Sequence, residues 1–338
     1  MKILNRLGAW ALLGCGLTAL TACERPPHEA TQVGHRGVAM EQLVNQRIAA
    51  KVAGENVFPA SILPPAEPGG QKAAEVYQNV QVLKDLNVAQ FTRLMLNITA
   101  WVSPEQGCNY CHTPNNLADD SLYTKKVARR MLEMTRHVNN DWTSHVKDTG
   151  VTCYTCHRGQ PVPSQAWFDD PGNAQLAKYA GDRDFQNNPS AMNGETSLPN
   201  GTNLLSSAKV IRVGGKTALP IKDGPHATIA DTETTYGLMM YFSEALGVNC
   251  TYCHNSRAFS DWSQSTPKRT LAWHGIQMAR NLNTEYVLPL TDVLPAERKG
   301  PTGDIAKVGC ATCHHGVNKP LLGAPMLVAN PELKGGAQ

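Results

Sequence analysis

Eight of the ten cysteines lie in four copies of one pentapeptide, in which two cysteines enclose two residues and a histidine follows directly. The two thiols of such a unit can form thioether bonds with the two vinyl groups of one haem, and the histidine can bind the haem iron as its proximal ligand. The four motifs are Cys108–His112, Cys153–His157, Cys250–His254 and Cys310–His314. They predict four covalently attached c-type haems, with thioether bonds at Cys108, Cys111, Cys153, Cys156, Cys250, Cys253, Cys310 and Cys313.

Other uses of paired cysteines explain less of this pattern. Zinc sites need partner pairs at compatible spacing, and they do not place a histidine after every second cysteine. Redox dithiols and a disulfide framework account for an even number of cysteines but not for the adjacent histidines. Haem attachment explains both features and leaves no unmatched cysteine in the body of the chain.

The remaining two cysteines lie at the N-terminus, in a segment typical of an exported lipoprotein. Lys2 and Arg6 precede an apolar stretch that reaches Leu20, and Thr-Ala-Cys23 follows. This ending resembles a bacterial lipobox, so residues 1–22 are predicted to be a signal peptide that is removed. Cys23 would then be the lipidated first residue of the mature chain; ordinary cleavage after a small residue is the alternative.

Lipidation decides how the protein meets the membrane. More than one acyl chain on Cys23 would hold the protein stably at a bilayer. No later segment has the roughly 18 consecutive apolar residues that a membrane-spanning helix needs. Because c-type haem is attached outside the bacterial cytoplasm, the protein is predicted to lie at the periplasmic face of the inner membrane without crossing it.

Composition and charge limit the partners and the fold. The formal charge of +3 falls to +1 once Lys2 and Arg6 are removed, and two propionates on each haem make the loaded protein acidic. This balance argues against a nucleic-acid partner and favours a basic or weakly charged redox protein. Aromatic residues are only 6% of the chain, so the haem discs must supply much of the apolar core. The 28 glycines and 22 prolines predict long irregular loops.

The motifs fall into two pairs, which predicts an internal repeat. The mature chain would begin with a lipid-anchored, proline-rich extended arm over residues 23–70. A first dihaem half would cover 71–165, a connector 166–225, and a second dihaem half 226–338. The predicted fold is mainly α with long irregular loops, a multihaem cytochrome c whose two pseudo-symmetric halves are built from helix–turn–CxxCH units.

A predicted helix lies before each motif. Pro104 would end the first helix, Thr124 would cap the second, and Gly247 would follow the third. Thr266 would cap the fourth helix, with Pro267 in its first position. Residues at helical spacing on these four helices are Phe91, Leu94, Met95, Ile98 and Val102; Val127, Met131, Met134 and Val138; Tyr236, Met239, Met240 and Ser243; and Leu271, His274, Met278 and Leu282.

The second axial ligand separates an electron carrier from a haem that binds substrate, since only an open iron position can bind a small molecule. Met95 is the candidate on the first helix, Met131 or Met134 on the second, and Met239 or Met240 on the third. Spacing does not choose within either pair, and a methionine on an apolar face can also be simple packing. For the fourth haem the candidates stay open among Met278, His274, His137, His145, His226 and His315.

Several of these features together resemble the tetrahaem cytochrome c subunit of the photosynthetic reaction centre of purple bacteria. They are the four motifs in two pairs, the lipobox and the Leu-Met-Met run that ends at Met240. The stretches Ser265–Arg269 and Gly316–Pro320 also match. The resemblance covers almost the whole mature chain from about residue 70.

The resemblance implies specific iron ligands. The ligand pairs of haems one to four would be Met95 with His112, Met131 with His157, Met239 with His254, and His145 with His314. Met134, Met240, Met278 and His274 would then be packing residues. Arg269 would lie close to the third haem, where a fixed cation raises the reduction potential.

The resemblance also implies an electron carrier that is not an enzyme. It would re-reduce the photo-oxidised special-pair bacteriochlorophyll held by the L and M core subunits. Electrons would come from a soluble periplasmic cytochrome c or high-potential iron–sulfur protein, in the spatial order of third, fourth, second and first haem from the special pair outwards. The rival classes are a multihaem reductase with an open haem and a lipoprotein that serves another membrane oxidoreductase.

Overall fold

The computed structural model of the chain describes residues 28–170, 198–209, 211–214 and 227–335. Within these ranges the chain is mainly helical, as predicted, and none of the helices is both long and apolar enough to cross a membrane. The predicted features that lie outside the described residues are the signal peptide, Cys23, His226 and part of the connector.

Helices of very different length follow an N-terminal hairpin. The hairpin consists of antiparallel β1 (His28–Gln32) and β2 (Glu41–Asn45). The α-helices are α1 (Gln46–Glu55), α2 (Ala73–Val76), α3 (Val88–Val102), α4 (Tyr123–Asp141), α5 (Thr143–Val146), α6 (Cys153–His157), α7 (Ile229–Leu246), α8 (Pro267–Asn281), α9 (Cys310–His314) and α10 (Met326–Ala329). A π-helical segment follows α8, and short 3₁₀ helices lie in the connections: Leu282–Val287 (π), and Gly107–Tyr110, Lys147–Thr149, Thr202–Leu205, Cys250–Tyr252, Leu288–Leu290, Ala296–Arg298, Pro320–Gly323 and Pro331–Leu333.

Local sequence explains the ends of α3 and α7. The Asn87 side chain accepts from the Gln90 backbone N–H, and the Gln90 side chain accepts from the Asn87 N–H, which forms a capping box at the start of α3. Helix α3 ends at Val102, before Pro104, as predicted. Helix α7 ends at Leu246 and is capped by Gly247, whose φ of 62° lies in the left-handed region that glycine adopts without strain.

The threonines predicted to cap α4 and α8 have a different role. Helix α4 begins at Tyr123, so Thr124 lies inside it, whereas Thr266 does occupy the N-cap position of α8. In both cases the hydroxyl donates to a backbone carbonyl of the preceding motif, that of Tyr110 or Tyr252, and does not bond to the first turn of its own helix. Each threonine therefore attaches the start of a helix to the cysteine motif before it.

The prediction of an extended arm over residues 23–70 is wrong for its central part. Residues 28–55 form the hairpin and α1, and β2 lies against the turn before the third motif. The Gln42 side chain donates to the Gly247 carbonyl (3.1 Å), and the Leu43 backbone N–H donates to the Asn249 side chain (3.1 Å). The prolines that suggested extension lie on both sides of this segment, and none lies within it.

The connector also contributes to the core, which its composition did not suggest. Trp167, Leu204, Leu205 and Ile211 are buried with apolar residues of α7 and α8. The described pieces of residues 166–225 are therefore packed against the helices that surround the third and fourth motifs.

The C-terminal segment packs against helices of the first half. Arg93 on α3 donates to both carboxylate oxygens of Glu332 (3.0 and 3.1 Å), and each side chain is only 1% exposed. The Asn139 side chain on α4 donates to the Leu333 carbonyl (3.1 Å). Residues about 190 to 240 positions apart in the sequence are thus joined by buried polar contacts.

Candidate haem sites

The four motif histidines have the same second interaction. In each of them Nδ1 lies within hydrogen-bond distance of a backbone carbonyl a few residues later in the chain. The carbonyl can only accept, so Nδ1 carries the proton and Nε2 keeps the lone pair with which a histidine binds a metal. The pairs are His112 with Leu117 (2.9 Å), His157 with Gln160 (2.8 Å), His254 with Phe259 (3.1 Å) and His314 with Val317 (2.9 Å).

The first and second motifs open onto one cavity of about 740 Å³. Helices α3 and α4 form much of its lining, and His112 and His157 both face it. Met95 lines the cavity, as do both Met131 and Met134. Most of the other lining residues are apolar, which fits the flat hydrocarbon face of a porphyrin. The structure therefore brings every predicted ligand of the first two sites together, but Met131 and Met134 remain alternatives.

Four of the predicted attachment cysteines are partly buried, whereas Cys108 and Cys250 are exposed. Burial raises the pKa of the Cys153 and Cys310 thiols to about 12, and it is also the main cause that raises the pKa of Cys111 and Cys253 to about 11. These thiols are therefore protonated at neutral pH, and Cys111 and Cys153 line the cavity at the first two motifs.

The third motif has a cation beside it, as the resemblance implied. The Arg269 guanidinium lies 4.1 Å from the centre of the Trp262 ring and donates to the Ser265 hydroxyl (2.8 Å). Burial and then the Arg269 charge lower the pKa of His254, so this charge lies near the third motif. Met239 on α7 is partly buried against the apolar core that Cys310 and Ala311 of the fourth motif also contact. Its pairing with His254 at the third motif stays a prediction.

His145 and His314 meet at the fourth motif although 168 residues separate them in the chain. Their ring centroids are 6.2 Å apart with 66° between the ring planes. Two imidazoles that bind one metal from opposite sides have centroids about 6 Å apart, given metal–nitrogen bonds of about 2 Å. His145 Nδ1 lies 2.9 Å from the Leu271 carbonyl, so its Nε2 is also the unprotonated nitrogen. The pair fits one iron between the two rings.

Two of the eight predicted thioether cysteines lie against each other. Cys156 and Cys313, the second cysteines of the second and fourth motifs, have 4.5 Å between their Cα atoms. Helices α6 and α9 pack together, and this brings the two thiols into contact. Thioether bonds at these two positions stay a prediction, and they require that the two sulfur atoms are not bonded to each other.

The other candidate histidines within the described ranges have other surroundings. His137 Nδ1 lies 2.6 Å from the Asp141 carboxylate, and its Nε2 accepts from the Trp142 indole N–H (3.1 Å). His315 directly follows the motif histidine His314 and has a left-handed φ of 48°. His274 lies beside His145, where its charge contributes to lowering the His145 pKa after the larger effect of burial.

Two buried asparagines that the sequence analysis did not identify hold the second and fourth motifs in place. Asn139 donates to the Val151 carbonyl (3.0 Å) and accepts from the Val151 N–H (2.8 Å). Asn283 makes the same two bonds with Val308 (both 2.8 Å). Both valines lie two residues before a motif. The only signal in the sequence was an asparagine late in each predicted helix, which is not distinctive.

Known proteins resemble this chain over nearly its full length. The family described as "Photosynthetic reaction centre cytochrome C subunit" matches residues 24–334. The chain is 49% identical over 336 residues to the photosynthetic reaction center cytochrome c subunit of Rubrivivax gelatinosus, with 99% of this chain and 91% of that protein covered. The same-named protein of Thermochromatium tepidum is 52% identical over 318 residues (93% and 77% covered). That of Roseobacter denitrificans is 39% identical over 345 residues (97% and 91% covered).

Matches of this extent agree with the covalent-haem motifs and with the proximal-ligand geometry of the sites. The chain therefore belongs to the family of photosynthetic reaction centre cytochrome c subunits, membrane-associated electron carriers with covalently bound haem.

Proposed function

We propose that this chain carries four c-type haems and re-reduces the photo-oxidised special-pair bacteriochlorophyll of a purple bacterial reaction centre. Its electrons would come from a soluble periplasmic cytochrome c or high-potential iron–sulfur protein, and its docking partners would be the L and M core subunits. The observation that carries the proposal is the shared geometry of the four motif histidines, each with Nδ1 bonded to a carbonyl and Nε2 free.

The proposed iron ligands use side chains from both halves of the chain. Each haem iron, when bound, supplies a one-electron ferric–ferrous couple. A methionine or histidine opposite each proximal histidine leaves no open position for a substrate, which favours an electron carrier over a reductase. The proposed ligand sets are Met95 with His112, Met131 with His157, Met239 with His254, and His145 with His314.

Repeated contacts support two pseudo-symmetric dihaem halves. The threonine-to-motif bond of Thr124 recurs at Thr266, and the two bonds between Asn139 and Val151 recur between Asn283 and Val308. Residues 71–165 and 226–338 would be the halves and 166–225 the connector. The packing of α6 against α9 supports an order in which the second and fourth haems are neighbours.

The N-terminal hairpin supports an orientation relative to the membrane. Cys23, the proposed lipid attachment site at the periplasmic face, lies five residues before His28. Five residues span at most about 18 Å, so the lipid cannot be far from the hairpin. Since β2 bonds to the turn before the third motif, this motif would be the one close to the membrane and to the special pair.

A flash experiment on native membranes tests this function. The haems are reduced chemically beforehand, and the absorption band of reduced c-type haem is followed after one flash. We expect rapid loss of the band, and no loss in membranes from which this chain has been deleted. If the haems stay reduced while the special pair is photo-oxidised, direct donation is excluded and the partner must be sought among dark redox reactions.

A further inference from the structure

Helix α8 has a glycine at the point where the short helix α5 crosses it. A Cβ atom placed on Gly275 would lie 2.6 Å from Cε1 of His145 and 3.1 Å from each of its ring nitrogens. Side-chain carbons essentially never approach another atom within 3.0 Å, and the three nearest atoms all belong to this one imidazole. Any side chain at position 275 would therefore collide with the His145 ring.

The His145 ring has little room to move away from such a collision. Its Nδ1 is held by the Leu271 carbonyl (2.9 Å), and its other side faces the His314 ring, whose centroid is 6.2 Å away. In an α-helix the carbonyl of residue 271 faces the N–H of residue 275. A carbonyl oxygen has two lone pairs and can accept a second bond, but only if the donor comes close to the helix backbone. The missing Cβ of Gly275 provides the space for this approach.

The helix has no other evident use for this glycine. Glycine in a helix interior is destabilising relative to alanine, so its presence in α8 needs a local reason. The turn containing Gly275 has no kink: α8 continues as regular α-helix from Pro267 to Asn281. The reason is therefore found in the neighbour that occupies the space, which is His145.

We propose that Gly275 is a positioning residue for the sixth ligand of the fourth haem, because it lets His145 cross α8 and reach the iron opposite His314. This inference rests on the proposed coordination by His145 and His314. Gly275 itself touches neither the iron nor a redox partner. It acts only through the position of the imidazole.

Ligand replacement in the holoprotein tests the proposal. In Gly275→Ala the His145 ring is displaced, so the reduced protein should bind about one carbon monoxide molecule per chain, and the low-spin electron paramagnetic resonance signal of one bis-imidazole haem should be lost. Added imidazole should restore that signal by filling the open position. The control is Gly54→Ala in α1, a helical glycine with no atom within 4 Å of the added carbon, which should leave all four haems unchanged. Retention of the bis-imidazole signal in Gly275→Ala would overturn the proposal.

The variant His145→Ala distinguishes the proposed positioning role of Gly275 from the His145/His314 coordination on which that role depends. This variant should open one haem to carbon monoxide, and if it does not, the His145/His314 coordination itself fails. If His145→Ala opens the haem but Gly275→Ala does not, only the positioning role fails.

The double variant His145→Ala/Gly275→Ala covers the case in which Gly275→Ala does not fold. With the imidazole gone, the added methyl group has space, and alanine should raise the thermal midpoint above that of His145→Ala. A double variant that also fails to fold would show that Gly275 is required for a reason other than His145, and would overturn the proposal.

Discussion

Met131 and Met134 lie three residues apart on α4, and both line the cavity at the first two motifs. We expect Met131→Leu to open the second haem to carbon monoxide and to lower its reduction potential, because thioether ligation favours ferrous iron. Met134→Leu removes a packing residue of nearly the same shape and should leave all four haems closed. Redox titration with carbon monoxide binding checks both variants. The reverse pattern would assign the ligand to Met134.

Cys156 and Cys313 allow a second test at the scale of residues. If all eight motif cysteines form thioethers, proteolysis of the mature protein should give four peptides that each carry the mass of one haem. We expect no peptide pair linked through Cys156 and Cys313. Mass spectrometry without a reducing agent distinguishes the two outcomes, since a linked pair with one free motif cysteine on each peptide would contradict thioether attachment at these positions.

Residue spacing predicted the proximal ligands because a c-type haem binds its cysteines and histidine within five consecutive residues. The partner of His314 could not be found in this way. His145 reaches it only because α5 crosses α8, and that crossing depends on long-range packing. The resemblance to a family supplied His145, and the 6.2 Å separation of the two rings supports it.

At the scale of elements, the ion pair between Arg93 on α3 and Glu332 in the C-terminal segment should be important for stability. Both side chains are 1% exposed. Removal of one partner leaves a buried charge uncompensated, so Glu332→Ala should lower the free energy of unfolding by about 3–5 kcal/mol. Guanidinium unfolding followed by circular dichroism measures this change.

The matched control for this ion pair is Glu133→Ala, which breaks the exposed pair with Arg130 on α4. A half-exposed pair of this kind contributes at most about 1 kcal/mol, so the control should change the unfolding midpoint little. If the two substitutions lower the free energy of unfolding equally, burial does not make the Arg93–Glu332 pair more important for stability than the exposed pair.

Periodicity predicted α3, α4 and α8 because each has apolar residues at helical spacing. Helix α7 was also predicted, but its predicted face was wrong: Tyr236 is exposed, and the helix buries Leu238, Tyr241, Phe242 and Ala245 instead. The prediction of helix caps failed where a side chain had two possible hydrogen-bond partners. Thr124 has the chemistry of an N-cap, but its hydroxyl bonds to the Tyr110 carbonyl instead. The hairpin was missed because prolines before and after it dominated the composition of that part of the chain, and because its contact at Asn249 is distant in sequence.

For the whole molecule, the proposed lipid on Cys23 can be tested separately from docking to the photochemical core. Cys23→Ser should remove the acyl mass from the mature N-terminus and, in cells that lack the L and M subunits, release the protein into the soluble periplasmic fraction. Wild-type protein in the same cells should stay with the membranes. If both proteins fractionate with the membranes, another attachment must exist.

The contacts of the C-terminal segment have a consequence for the order of events during folding. Glu332 and Leu333 bond to side chains of α3 and α4, and Met326 accepts from Thr155 inside the second motif. During synthesis the N-terminal part of a chain is available first, so these helices emerge long before the residues that complete their surroundings. Haem could therefore be attached to the first two motifs before the C-terminal segment packs against them. The C-terminal segment can make these contacts only after all four motifs have been synthesised, because it follows them in the chain.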